Sequence, residues 1–371
     1  MNQISLIFLV LFLATSCAIK EKKIQTNLAK AWHNNFTRSF DDTASIQVLV
    51  VTNRDYNQNS NQQLNESGFS CHKDKFGVEN ASKLSFGVCD ISVPKNHNVG
   101  EINFSKDLLK HPKDYFKIKN SQKLTQSQLL KIAKDSQRAP LVFVHGFNVS
   151  YREAVLRAAQ IAYDLKYQGP VILFSWPAGA KEGLFGKEFL TKTYDENLIT
   201  AKGSISLFRQ FLMELSKNKI EANLIVHSMG HQVALPALKE IGKSGVKKSI
   251  INNLVLNAPD FDVNEFILLV ENIKKTSNNI YIYCSGNDKA ISASETFNGE
   301  ERLGSCHFST PQADVINVDL VNEASLLGHG YYASRAILND VFQTFLGIET
   351  KKRLFISFDK EGGVNKYIMR R

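Results

Sequence analysis

The chain reads as short apolar runs separated by segments of helical periodicity. "IQVLVVTNRD" gives a first strand, Ile46 to Thr52, and "KLSFGVCDISVP" a second, broken at Gly87 and stopped by Pro94. Asn57 to Ser67 is dense in Asn, Gln and Ser and reads as a loop. Residues 101–138 are mixed and read as a connection across the surface. From residue 139 the pattern is regular. "PLVFVHG" is a strand, and "SYREAVLRAAQIAYDL" sets Val155, Ala158, Ala162 and Leu165 at helical spacing, with a Ser150/Glu153 capping box at its start. There follow the strand "PVILFSWP", a helix over 195–216, the strand "ANLIVHS" and the helix "MGHQVALPALKEIG". The strand "INNLVLNAPDFD", the helix "VNEFILLVENIKK", the strands "NNIYIYCSGND" and "ADVINVDL", and the helix "YASRAILNDVFQTFLG" complete the series.

Strands alternating with helices predict an α/β fold with a mostly parallel central sheet and helices on both faces. Ligands in such sheets bind beyond the carboxyl ends of the strands. His145, Ser228, Asp260, Asp288 and His329 all fall there.

The N-terminus stands apart from this pattern. Ile4 to Ala14 is apolar apart from Ser5, too short to span a bilayer and of the length of a signal h-region. It leads into "LATSCAIK", where Ser16 directly before Cys17 resembles the lipobox of bacterial lipoprotein signals. That resemblance implies removal of residues 1–16, a lipid on Cys17, a polar Lys-rich tether over 17–45, and a membrane-anchored lipoprotein of the bacterial cell envelope. The segment "MNQ" departs from the pattern in having no Lys or Arg, and plain secretion or an uncleaved anchor are the alternatives. The expected folded domain then runs over 46–350, as strands and loops (46–138) and a core of alternating strands and helices (139–350), with 351–371 a tail.

Export bears on the cysteines. Without Cys17, four of the five remain: Cys71, Cys89, Cys284 and Cys306. An even number in an exported chain predicts disulfides, and locality favours Cys71–Cys89 and Cys284–Cys306 over the other pairings. Free buried thiols are the alternative, and no Cys-x-x-Cys spacing points to a metal. The net charge of +9 is carried by scattered Lys, with no run of five like charges. This suits a solvated basic surface attracted to anionic membranes, not a nucleic-acid interface.

The candidate chemistry centres on Ser228. A Ser hydroxyl needs a base to act as a nucleophile, and a sharp strand-to-helix turn lifts it clear of the sheet. In "VHSMG" Gly230 stands where the elbow motif has its last Gly, but Val226 replaces the first, a crowded position. "FVHGFN" ends an earlier strand, so the N–H groups of Phe147 and Met229 are the expected oxyanion donors. His145 reads as a structural histidine, because the base should come later in the chain. His227 and His231 lack the His-Glu-x-x-His pattern, so no metal is expected.

"FVHGFN", "FSWPA", "VHSMG", "APDFD", "SGNDKAISAS" and "GHGYY" resemble, in order and spacing, a bacterial family of α/β-hydrolases described as esterase/lipase-superfamily proteins of uncharacterised function. "VTNR" and "FGVCDISVP…HNVGEI" are similar to that family's N-terminal segment, and the likeness runs over about 46–345. It implies the α/β-hydrolase fold. Chain order in that fold is nucleophile, acid, His. Asp288 is then the acid, with Asp260 as the alternative, and Asp262 suits a helix cap. His329 is the base, with His307 second. The long segment after Trp176-Pro177 either carries Phe185, Phe189 and Tyr194 over the site as a lid or is a plain loop with buried aromatics.

The expected function is a serine hydrolase of the carboxylesterase or lipase kind, acting without a cofactor on a small-molecule or lipid-like ester and attached to a membrane by its lipid. Acyl transfer is a second enzymatic reading. A hydrolase-like binding or scaffold protein without turnover is the rival, supported by Val226.

Overall fold

The computed structural model describes residues 45–56, 69–71, 76–95, 97–102, 115–180, 187–245, 249–322, 327–360 and 363–370. The signal segment, Cys17, the tether, the 57–67 loop and Phe185 lie outside the described residues.

Among them one sheet runs through eleven strands: β1 (Ser45–Tyr56), β2 (Phe76–Ser92), β3 (Lys117–Leu124), β4 (Leu141–Val144), β5 (Val171–Ser175), β6 (Ala222–His227), β7 (Ile251–Asn257), β8 (Ser277–Cys284), β9 (Asp314–Asn317), β10 (Ile356–Phe358) and β11 (Lys366–Met369). Their order is β10-β11-β9-β8-β7-β6-β4-β5-β1-β2-β3. The pairs from β1 through to β11 are parallel, while β2 and β3 at one edge and β10 at the other are antiparallel.

Seven helices accompany it among the described residues: α1 (Gln126–Asp135), α2 (Tyr151–Asp164), α3 (Lys187–Lys217), α4 (His231–Lys243), α5 (Val263–Lys274), α6 (Lys289–Asn298) and α7 (Arg335–Phe345). Alternation along the strands sorts side chains to two faces. Val142, Val144, Leu224, Val226, Leu254 and Leu256 join one core cluster with buried residues of α1, α3, α4 and α5. The intervening Leu141, Phe143, Ile225 and Val255 are buried outside that cluster, and α2 packs against α7. The expected two-faced sheet is therefore present.

Local expectations hold where the sequence carries a physical signal. Ser150 caps α2, with Glu153 closing the box, and Val155, Ala158, Ala162 and Leu165 are buried. Both local cysteine pairings are disulfides, Cys71–Cys89 and Cys284–Cys306.

Four expectations need correction. Gly87 does not break β2: it pairs with Val50 and Lys123, and its missing side chain leaves room for the Phe69 ring. The stretch 101–138 is not merely a connection, since it contains β3 and α1, and α3 begins at Lys187 rather than 195. Residues 351–371 are not a tail. β11 lies parallel to β9, and β10 completes a hairpin with it, so backbone pairing holds this segment in the sheet.

Candidate active site

β6 ends at His227, and the chain turns through a single 3-10 turn, Ser228–Gly230, into α4. Ser228 takes φ +52°, a left-handed conformation that costs a non-glycine residue about 1–2 kcal/mol. Such strain marks a position held by its surroundings. Val226 does not prevent the turn. Its side chain points into the core cluster and pairs in register with Val144 and Leu256. The close approaches fall instead at two glycines. A Cβ on Gly146 would lie 2.8 Å from the Ser228 Cβ, and one on Gly230 would lie 2.5 Å from the His145 carbonyl. Gly146 thus brings the loop after β4 directly against Ser228, with Phe147 next in the chain.

His329 lies in the loop before α7. Its Nε2 is 2.8 Å from the Ser228 hydroxyl, and its Nδ1 is 2.7 Å from Oδ2 of Asp288. With Nδ1–H donating to the carboxylate, Nε2 is free to accept the Ser228 O–H. Of the two flanking glycines, Gly328 has φ +65° and crowds the Asn287 carbonyl, where a Cβ would lie 2.8 Å away. The Asn287–Gly328 approach sets the histidine loop beside the acid loop. Asp288 caps α6 with its other oxygen, which accepts from the N–H groups of Ala290 and Ile291.

The alternative residues are otherwise engaged. Asp260 accepts from the Tyr194 hydroxyl at 3.0 Å and the Ser294 hydroxyl at 2.6 Å, with Arg302 at 3.5 Å. Asp262 caps α5. His307 is exposed and lies 3.5 Å from Glu301. Tyr194 sits on α3 with its ring 5.9 Å from that of Phe147. It tethers α3 to Asp260, so this part of the expected lid is a fixed wall beside Phe147. Among the described residues no group of His, Cys, Asp and Glu side chains has the arrangement of a metal site.

His145 is structural, as its place in the chain suggests. It is buried and stacked on Trp176 at 5.3 Å. Its Nε2 faces Arg54 Nη2 at 3.4 Å, and Nδ1 lies 3.1 Å from the Gly146 carbonyl. Burial, aided by the Arg54 charge, pushes it down to about 3, so it stays neutral. His231, buried with Nδ1 on the Ser228 carbonyl at 2.6 Å, is pushed down to about 3 by its burial.

Sequence reasoning missed two parts of this surround. Arg54 is 1% exposed and donates to Ser175 Oγ, Gly77 O, Ala178 O and Val149 O. It ties β1 to the loop that approaches Ser228. The only sign of it was the "VTNR" match, because a charged residue otherwise reads as surface. The second is a stack in which the His227 ring lies 3.6 Å from Tyr332 and 4.9 Å from His329. Burial above all holds His227 well below the usual histidine range.

The arrangement has the parts of an acyl-transfer site: a strained hydroxyl, an imidazole on it, and a carboxylate orienting the imidazole. No curated protein matches the chain. The sequence model of one family, described as alpha/beta hydrolase of unknown function (DUF900), matches residues 121–347, which span β4 to α7 and all three of these side chains. That match covers more than half of the protein, and the chain belongs to this family of alpha/beta hydrolases.

Proposed function

We propose that the protein is a serine hydrolase that cleaves an acyl ester through an acyl-enzyme. The observation that carries this reading is the pair of contacts on His329, 2.8 Å to Ser228 and 2.7 Å to Asp288. Ser228 Oγ attacks the ester carbonyl carbon while His329 Nε2 takes its proton, and Asp288 stabilises the imidazolium. The carbonyl oxygen becomes an oxyanion, held by the N–H groups of Phe147 and Met229. The tetrahedral intermediate collapses, the bond to the alcohol oxygen breaks, and His329 returns the proton to the leaving alkoxide. Water, deprotonated by His329, then attacks the acyl-enzyme carbonyl; the bond to Ser228 Oγ breaks, His329 returns the proton to that oxygen, and the acid is released. No step needs a cofactor.

The anchor belongs to the same reading. A lipid on Cys17 and a basic surface are two membrane signals, enough for stable attachment. They would hold the site near envelope lipids, which favours an amphiphilic ester as substrate.

Turnover of p-nitrophenyl esters of increasing chain length tests the reaction. The expected result is a burst of one p-nitrophenol per protein followed by slower steady release, absent in Ser228→Ala. Equal hydrolysis by Ser228→Ala would overturn the assignment.

A further inference from the structure

His329 stands in a loop between Gly328 and Gly330, which have no side chains to pack, and its own side chain is 20% exposed. Its two hydrogen bonds keep Nδ1 and Nε2 in place only while the loop holds still. Misplacing a reacting group by about 1 Å can cost about a hundredfold in rate, so this loop needs support from outside the triad.

A row of side chains supplies it. The His227 ring lies 4.9 Å from that of His329, tilted by 43°, and the Tyr332 ring stacks on His227 at 3.6 Å and 23°. Arg157 of α2 stands over Tyr332, with Cζ 5.7 Å from the ring centroid, in range of a cation–π contact. Tyr332 comes shortly after His329 in the chain, so it ties the histidine loop both to the end of β6 and to α2. Burial keeps His227 neutral, and it packs against His329 without repelling the imidazolium that forms there.

Arg157 is itself held. Arg157, Gln160 and Asp164 follow one another along one face of α2. Arg157 Nη1 donates to Gln160 Oε1 at 2.7 Å and to the Gly100 carbonyl at 3.3 Å, and the Gln160 amide donates to Asp164 Oδ2 at 2.6 Å. Asp164 also accepts from the Gly100 N–H at 2.8 Å and pairs with His97, whose ring packs edge-on against Phe116 and Tyr163. The 97–101 segment is thus strapped onto α2. There Gly100, at φ +89°, also meets the histidine loop: a Cβ on it would lie 2.5 Å from the Ala333 carbonyl. The strap precedes the residues matched by the family model, yet it touches the segment that carries His329.

We propose, on the serine-hydrolase reading above, that Tyr332 and Arg157 are positioning residues for His329 and that the 97–101 strap holds them in place. Their contacts with His227 and with each other are made by the Tyr332 ring, so removing its hydroxyl spares them.

Two readouts on the full chain test it: the rate of modification by a fluorophosphonate, and the proton resonance of His329 Nδ1–H in its hydrogen bond to Asp288. Both are taken well below the thermal midpoint, where a loss of stability alone changes neither. Tyr332→Leu and Arg157→Gln should each slow modification about tenfold or more and broaden the resonance through exchange with water. Tyr332→Phe restores the ring and should recover both. Gly100→Ala should press on Ala333 and slow modification as well. A wild-type rate or an unchanged resonance in Tyr332→Leu or Arg157→Gln would overturn the positioning, as would Tyr332→Phe losing as much as Tyr332→Leu. A wild-type rate in Gly100→Ala would overturn the strap. Wild-type protein that takes no label would instead end the serine-hydrolase reading, and the resonance would then decide the positioning alone.

Discussion

Asp288 and His329 meet at 2.7 Å through Oδ2 and Nδ1, while the other Asp288 oxygen caps α6. One side chain therefore serves both the helix and the histidine, and its two roles separate by substitution. Asn can still cap a helix but cannot hold an imidazolium, so Asp288→Asn should leave the thermal midpoint nearly unchanged and lower kcat by about 10⁴. Asp288→Ala should lose the same activity and about 1 kcal/mol of stability as well. Equal stability of the two variants would deny the cap.

The backbone at Ser228 gives a second prediction. Gly tolerates φ +52° and Ala does not. Both variants lose the hydroxyl, so comparing them isolates the strain. Ser228→Gly should unfold about 1 kcal/mol above Ser228→Ala in denaturant titrations. The reverse order would mean that the turn relaxes when the hydroxyl is removed.

The disulfides should differ in what they protect. Each closes a short loop, worth about 3 kcal/mol in the chain-entropy account. Cys284 ends β8 four residues before Asp288, and its bridge to Cys306 fixes that loop. Replacing both by Ala should lower stability and kcat together. Replacing Cys71 and Cys89 should lower stability with kcat retained, because that bridge lies at β2, away from the triad. Equal kinetic losses in the two double variants would contradict this.

Much of the site was legible because its chemistry is local in sequence. The elbow, the acid and the histidine each follow a strand, and strand order fixes their succession. The disulfides were legible for the same reason, as each joins neighbouring segments. Burial of charge was not legible. Arg54 looks like a surface residue until its carbonyl partners arrive from three separate segments. The C-terminal hairpin was hidden because β10 is only three residues long and half exposed, so it lacks a clean alternation. The Gly-rich stretch before α3 masked the start of a helix that continues from Lys187 to Lys217.

Acid should destabilise the fold in a defined window. His145 and His231 are pushed down to about 3 from an unfolded value of 6.5, both mainly by burial. Above 6.5 neither state is protonated and these groups leave stability flat. Below it the unfolded chain binds protons that the folded chain refuses, so stability falls until the pH approaches 3. His145→Asn should make the thermal midpoint fall less steeply across that window. An unchanged slope would remove His145 from the acid response.

The central claim is that Ser228 is the nucleophile. Incubating the protein with a fluorophosphonate and locating the adduct by peptide mass spectrometry tests it most directly. One modified residue, Ser228, is expected in wild-type protein, with sharply slower modification in His329→Ala and none in a Ser228→Ala variant whose circular dichroism is unchanged. An adduct on another serine, or no adduct on folded wild-type protein, would contradict it.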